Sequence, residues 1–258
     1  MKNLTNDKIL EIKDLYVKIK NKNFYAVNGL NLSVYRGKIL GIVGESGSGK
    51  SMTALSIMGL LRKNIEIEKG DIIFENTSLQ KISMIFQDPT NSLNPLMKIG
   101  KQVAESAKIR LNLSKQELKE LTLKAMNDAG LKDAEKLYNS YPHELSGGMK
   151  QRAMIASCII ANPDILIADE PTTALDVTVE AEILKLLKKL SQDNNMAMIF
   201  ISHNIDAISK ICDYIAVMKK GYLVEYGETL EILKKPKHEY TKTLIQSVIT
   251  PEKKGSPL

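Results

Sequence analysis

The chain has 258 residues, 43% of them hydrophobic and 26% charged, and 36 Lys and Arg against 30 Asp and Glu give a net charge of +6. That size and balance suit a large buried core and exclude wholesale disorder. No apolar run approaches the roughly 18 residues of a membrane helix, and the charged start from Met1 to Asp14 lacks a signal peptide's apolar stretch, so a cytoplasmic chain is expected.

The first forty residues alternate like strands, at Ile9–Ile12, Leu15–Ile19 and Leu30–Val34, with polar turns at Lys20–Asn23 and Tyr35–Lys38. This pattern predicts an antiparallel sheet. Ile39–Val43 is a continuous apolar run, the mark of a strand buried on both faces. A glycine-rich turn follows it, then a helical stretch over Ser51–Leu61. Gly70–Phe74 and Ile82–Phe86 predict two more strands. After Pro89 the texture turns helical: Ser114 and Glu117 have the spacing of a capping box, and Leu118, Leu121, Ala125, Met126 and Ala129 recur at helical intervals before Gly130. A second helix is expected over Gly148–Ile160, a buried strand over Ile165–Ala168 and an amphipathic helix over Val179–Leu190. Core strands follow over Ala197–Ile201 and Tyr214–Met218, and a frayed tail over Pro251–Leu258. Strands alternating with helices predict an α/β fold, a mostly parallel sheet flanked by helices. An antiparallel β subdomain precedes it and a helical subdomain is inserted at 88–148, with core and β subdomain over 1–87 and 149–250, as a single domain over 1–258.

The basic excess is mostly dispersed lysine, with only Arg36, Arg62, Arg110 and Arg152 as arginines. It is read as a solvated surface, and no nucleic-acid partner is expected. Cys158 and Cys212 lie apart in apolar stretches and have no CxxC partner, as buried free thiols do. His143, His203 and His238 are distant from them, so no His/Cys metal centre is expected.

Gly44, Glu45, Ser46, Gly47, Ser48, Gly49, Lys50 and Ser51 fit the phosphate-loop pattern G-x-x-x-x-G-K-[ST] between a buried strand and a helix. The glycines let backbone N–H groups converge on phosphate oxygens, Lys50 neutralises the β and γ phosphates, and Ser51 ligates Mg²⁺. A flexible Gly-Ser linker is the plain alternative, and the flanking strand and helix argue against it. Asp169, at the end of the apolar run from Ile165, is placed to hold Mg²⁺, and Glu170 to polarise an attacking water. Taken alone, two acids after a strand serve equally well as strand-end solvation. Ser146, Gly147 and Gly148 open a helix and offer bare amides to an anion, or simply make a helix-start turn.

Together these motifs resemble the ATP-binding cassette ATPases, the nucleotide-hydrolysing subunits of ABC transporters. Leu145–Gln151 matches that family's signature, Gln87 its Q-loop glutamine, Ala174–Asp176 its D-loop and His203 its switch histidine; the resemblance runs from about residue 8 to 250. It implies ATP and Mg²⁺ as ligands, with Ser51, Gln87 and Asp169 around the metal. Glu170 is then the general base, and His203 holds the γ phosphate and the base in register. It also implies a second ATP-binding subunit, whose nucleotide would meet Ser146, Gly147 and Gly148. Two integral-membrane permeases would dock beside Gln87 and the helical lobe, and an extracytoplasmic substrate-binding protein would act indirectly. The chain would then sit peripherally on the cytoplasmic face of the membrane.

Phe86–Pro89 with Ser92–Pro95, Tyr141–Glu144, Thr172–Thr178, His238–Thr241 and Met149 resemble the peptide and nickel importer branch. The expected substrates are dipeptides, oligopeptides or nickel complexes, and Met149 implies a different ATPase subunit as partner, a heterodimer. A soluble cassette acting on DNA or the ribosome is the alternative, and an ATP-gated dimerisation module without hydrolysis is another. No C-terminal cysteine cluster for an iron–sulfur centre is present. Where the family stacks an aromatic on adenine this chain has Ile19, with Tyr16, Phe24 and Tyr25 nearby; Tyr25 serves as a substitute no more readily than as a packing or surface residue.

Overall fold

The computed structural model describes residues 7–20, 24–87, 92–173 and 175–249, with side chains to 246. The expected tail at 251–258, Asp88 and Pro89 after the Q-loop glutamine, Ala174 of the D-loop, and part of the turn at 20–23 lie outside the described residues. In chain order the elements begin with β1 (Lys8–Ile19), β2 (Phe24–Tyr35), β3 (Ile39–Val43), α1 (Lys50–Ile57), β4 (Ile65–Phe74) and β5 (Ile82–Ile85). Helices α2 (Ile99–Arg110), α3 (Lys115–Asp128), α4 (Ala134–Tyr138) and α5 (Gly147–Ile159) follow. The chain then runs through β6 (Ile165–Asp169), α6 (Val177–Asp193), β7 (Ala197–Ser202) and α7 (Ile205–Ile211). It closes with β8 (Tyr214–Lys219), β9 (Tyr222–Glu228), α8 (Thr229–Lys234) and α9 (Glu239–Ile249).

Two compact units divide these elements, one built from residues up to 10, 34–39 and 74–199, the other from 11–33, 40–73 and 200 onward. In the second, β2, β1 and β4 form an antiparallel sheet in the order β2-β1-β4. The two strands expected at Ile9–Ile12 and Leu15–Ile19 are one, β1, continuing through Asp14 at φ 47°. Opposite it lies Gly70, where a Cβ would come within 2.3 Å of the Asp14 carbonyl oxygen. Strand β4 begins five residues before the expected Gly70, and the charges there are paired at the surface: Lys18 with Glu68 at 2.6 Å and Lys20 with Glu66 at 2.8 Å.

All five residues of β3 are buried, and it runs parallel to β8 with Leu40 opposite Tyr214 and Val43 opposite Val217. Gly41 is required there: a Cβ would sit 2.6 Å from Ile208 and 2.9 Å from the Cys212 sulfur, so α7 packs directly on the strand. Edge strand β9 pairs antiparallel with β8. Helix α1 ends at Ile57, short of the expected Leu61, because Gly59 turns left-handed at φ 66° and the Leu60 amide closes on the Leu55 carbonyl at 2.9 Å.

In the first unit β5 and β6 pair in parallel, from Ile82 opposite Ile165 to Ile85 opposite Ala168. The expected capping box starts α3: Ser114 Oγ accepts the Glu117 amide at 3.3 Å, and the Glu117 carboxylate accepts the Ser114 amide at 2.8 Å. Gly100 lets α2 meet the Tyr138 ring, which a Cβ would approach to 2.2 Å. The turn before β6 is tied down by Asp164, which accepts from Arg36 at 3.2 Å and Thr77 at 2.8 Å. Burial alone would raise its pKa, but the Thr77 hydroxyl and the Arg36 guanidinium hold it below the ordinary carboxylate value.

Cys212 is buried and Cys158 half-buried, both as free thiols. Burial pushes the Cys158 thiol up to about 12, and it donates to the Met84 carbonyl at 3.3 Å. It is a packing residue, not a nucleophile. Among the described residues no helix is long and apolar enough to cross a membrane.

Candidate functional site

Within the second unit, residues 44–49 connect buried β3 to α1, and Lys50 and Ser51 open that helix. Gly44 lies where a Cβ would stand 2.1 Å from the Met218 carbonyl oxygen, and Gly49, at φ 104°, where one would stand 2.5 Å from that of Ala26. Gly47, at φ 78°, faces open space with nothing within 4 Å. The loop is thus pressed against its scaffold at both ends and bare at its crown. The Lys50 ammonium, on a residue only 5% exposed, folds back onto the carbonyl oxygens of Gly44 at 2.7 Å and Glu45 at 2.9 Å. Ser48, 4% exposed, has a hydroxyl with no partner among the described residues. A buried cation resting on carbonyls, beside an unpaired buried hydroxyl and an open glycine crown, is a cradle whose donors suit a phosphate. Glu45, Ser46 and Ser51 are exposed around it.

His203 is also in this unit, exposed on the turn after β7. Two hydrogen bonds shape the turn: the Asn204 amide donates to Ser202 Oγ at 3.0 Å, and Asn204 Oδ1 caps α7 by accepting the Asp206 amide at 2.9 Å.

One contact reaches the loop from far along the chain. The Glu45 amide donates to the hydroxyl of Tyr240, on α9, at 3.0 Å across 195 positions. The sequence singles out His238–Thr241 only as a branch marker, and gives no local signal of this contact.

Tyr25 donates its hydroxyl to Glu68, packs edge-on against Tyr16 at 5.9 Å, and has the Lys18 ammonium 5.4 Å from its ring centre. It is occupied on the sheet surface, whereas Phe24 is 51% exposed.

In the first unit the register of β5 and β6 has a chemical consequence. With Ile85 opposite Ala168, Gln87 and Glu170 each stand two residues past the last pair. They meet: Gln87 Nε2 donates to Glu170 Oε2 at 3.0 Å, and Thr173 Oγ1 donates to the same oxygen at 3.0 Å. Glu170 has a left-handed backbone, φ 47°, uncommon for a residue with a side chain and frequent at functional sites. Asp169, immediately before it, closes β6 at 6% exposure. Among the described residues no group of three or more His, Cys, Asp or Glu is placed to hold a metal by itself.

Ser146, Gly147 and Gly148 begin α5 in the same unit. Ser146 is the N-cap, accepting the Met149 amide at 3.4 Å, and Ser146 and Gly147 are exposed. A Cβ on Gly148 would press on Val179 at 2.9 Å, so this glycine is also needed for packing against α6.

Comparison with known proteins agrees with these motifs. The family described as ABC transporter matches residues 27–173, and that described as oligopeptide/dipeptide transporter, C-terminal region, matches 224–258. The oligopeptide transport ATP-binding protein OppD of Haemophilus influenzae is 44% identical over 93% of this chain and 79% of its own length. The dipeptide transport ATP-binding protein DppD of Lactococcus lactis is 42% identical over 96% of this chain and 75% of its own. Among solved structures, cbiO1 of Clostridium perfringens, part of the ABC transporter complex cbiONQ, aligns with a TM-score of 0.79 at 28% identity, covering 95% of this chain and 97% of that one. The dimeric ABC transporter cassette MJ0796 aligns at 0.74 and 26% identity over 86% of this chain and 99% of its own; it has also been solved in a post-hydrolysis state bound to ADP and Pi. The chain therefore belongs to the ABC transporter family, as one of its ATP-binding, ATP-hydrolysing members of the oligopeptide/dipeptide branch.

Proposed function

We propose that this chain is one of two different ATP-hydrolysing subunits that drive peptide import through separate membrane permeases. The observation that carries the hydrolytic part is the Glu170 carboxylate, held at one oxygen by Gln87 and Thr173 at the end of a buried strand. Two donors on one oxygen fix the carboxylate's direction, and the carboxylate takes a proton from the attacking water. His203 is the residue assigned to the γ phosphate.

ATP is the substrate. Gly44 to Ser51 cradle its phosphates through bare amides, and the Lys50 ammonium exchanges its carbonyl partners for phosphate oxygens. Mg²⁺, when bound, neutralises phosphate charge. Its expected protein ligands, the Ser51 hydroxyl, the Gln87 amide oxygen and the Asp169 carboxylate, are all hard oxygen donors, as this ion prefers. Gln87 suits both tasks, since its Nε2 donates to Glu170 and its amide also carries an oxygen that can face the cation.

Ser146, Gly147 and Gly148, the cap and first turn of α5, present their amides to the nucleotide of the partner subunit, which carries a different signature sequence. Beside β5, Met84, Phe86, Leu93, Ile109 and Met154 line a cavity of about 340 Å³, with Phe86 43% and Ile109 77% exposed. We read this cavity as the seat for a permease's cytoplasmic helix, which would hold the chain peripherally on the cytoplasmic face of the membrane. The substrate is a dipeptide or oligopeptide, delivered by an extracytoplasmic binding protein. That choice is supported by the C-terminal match and by what the relatives' names say they transport.

Native mass spectrometry of the complex isolated from detergent-solubilised membranes through a tag on this chain tests the composition. One copy of this chain, one different ATP-binding chain and two permeases are expected. Two copies of this chain contradict the heterodimer, and a chain recovered alone contradicts the importer.

A further inference from the structure

We propose that Tyr240 is a positioning residue for the phosphate loop, a pin from the C-terminal helix that holds the loop in its nucleotide-binding shape. The proposal rests on the assignment of residues 44–51 as the phosphate cradle, and adds a residue from outside that motif.

The pinned group is the backbone of one residue, Glu45, which makes bonds through both of its flanking peptide units. On one side of Glu45, its N–H donates to the Tyr240 hydroxyl at 3.0 Å. On the other, its carbonyl oxygen accepts from the Ser48 amide at 3.1 Å and from Lys50 Nζ at 2.9 Å. Both the tight turn of the loop and the resting place of its lysine therefore hang on the orientation of one residue. Glu45 is exposed, so packing does not fix it. The bond to Tyr240 does.

Tyr240 is held firmly enough to serve. It is 6% exposed, and the Lys219 ammonium lies 4.4 Å from its ring centre. Its own amide donates to His238 Nδ1 at 3.1 Å, and the Glu225 carboxylate accepts the amides of Lys237 at 2.9 Å and His238 at 3.1 Å. The start of α9 is thus anchored to β9, and the tyrosine hydroxyl delivers that anchorage to the loop. Burial raises the phenol's pKa above its ordinary value, so the hydroxyl stays neutral.

A rigid cradle binds its ligand without first being ordered, so losing the pin weakens nucleotide binding and leaves the chemical step alone. Tyr240→Phe removes the hydroxyl and keeps the ring. For this variant the affinity for a fluorescent ATP analogue falls about five-fold, the scale of one lost hydrogen bond. KM for ATP rises to match with kcat unchanged, the Glu45 amide exchanges hydrogen faster, and the thermal midpoint moves by less than about 2 °C. His238→Ala, at an exposed position, loosens the same anchor and gives the same changes at smaller size; it decides the matter should Tyr240→Phe fail to fold. Unchanged affinity and unchanged Glu45 exchange in a folded variant overturn the pin. Absence of nucleotide binding by the wild-type chain overturns the cradle itself, which separates the two failures.

Discussion

Lys50→Ala abolishes ATP binding, with the affinity for a fluorescent nucleotide falling by a factor of a hundred or more. The size follows from what the ammonium does. It is buried, 5% exposed, and already bonded to the carbonyl oxygens of Gly44 and Glu45, so it is desolvated before any phosphate arrives. Charge-assisted hydrogen bonds contribute about 1.5–3 kcal/mol each, and two of them to phosphate oxygens amount to a hundredfold or more. Lys50→Arg does not restore binding, because a planar fork replaces a compact ammonium in a fixed cradle. Circular dichroism of the free variant separates lost binding from lost folding, and an alanine variant that is folded and binds within about threefold of wild type contradicts the cradle.

Glu170→Gln binds ATP as the wild type does but releases phosphate about a hundredfold more slowly or worse, the usual scale for removing a general base. The amide is the same size as the carboxylate, and its oxygen still accepts from Gln87 and Thr173, each 3.0 Å from the present oxygen. What it loses is the capacity to take a proton. Equilibrium titration and single-turnover phosphate release, measured on the same preparation, read the two effects separately. Normal turnover by this variant removes Glu170 from the role of base.

The motifs at strand ends were legible from the sequence because each is local. Gly44 to Ser51 needs only its own glycines and a buried strand before it, and β3 is buried at all five positions as its apolar run implies. The capping box of Ser114 and Glu117 is likewise a four-residue matter, and it forms. The meeting of Gln87 with Glu170 was not legible, because it depends on the register of two strands about eighty residues apart. Boundaries shifted where side-chain pairing or backbone shape outweighed the apolar pattern. Strand β4 runs on through Glu66 and Glu68, which pair with Lys20 just past the end of β1 and with Lys18 on β1. Helix α1 stops early at the left-handed Gly59. Strand β9 went unseen in the sequence because its seven residues are half-buried or exposed and so carry no buried stripe. Tyr240 is the extreme case: nothing near it in the chain points to Glu45, 195 positions away.

On the reading proposed above, ATP hydrolysis by this chain is coupled to peptide import. The most direct measurement of that coupling is phosphate release by the chain co-purified with its permeases and reconstituted in lipid nanodiscs, with and without peptide-loaded binding protein. A rise in rate on adding the loaded binding protein, absent in the Glu170→Gln complex, is the predicted result. A rate that is the same with and without permeases and loaded binding protein contradicts the account.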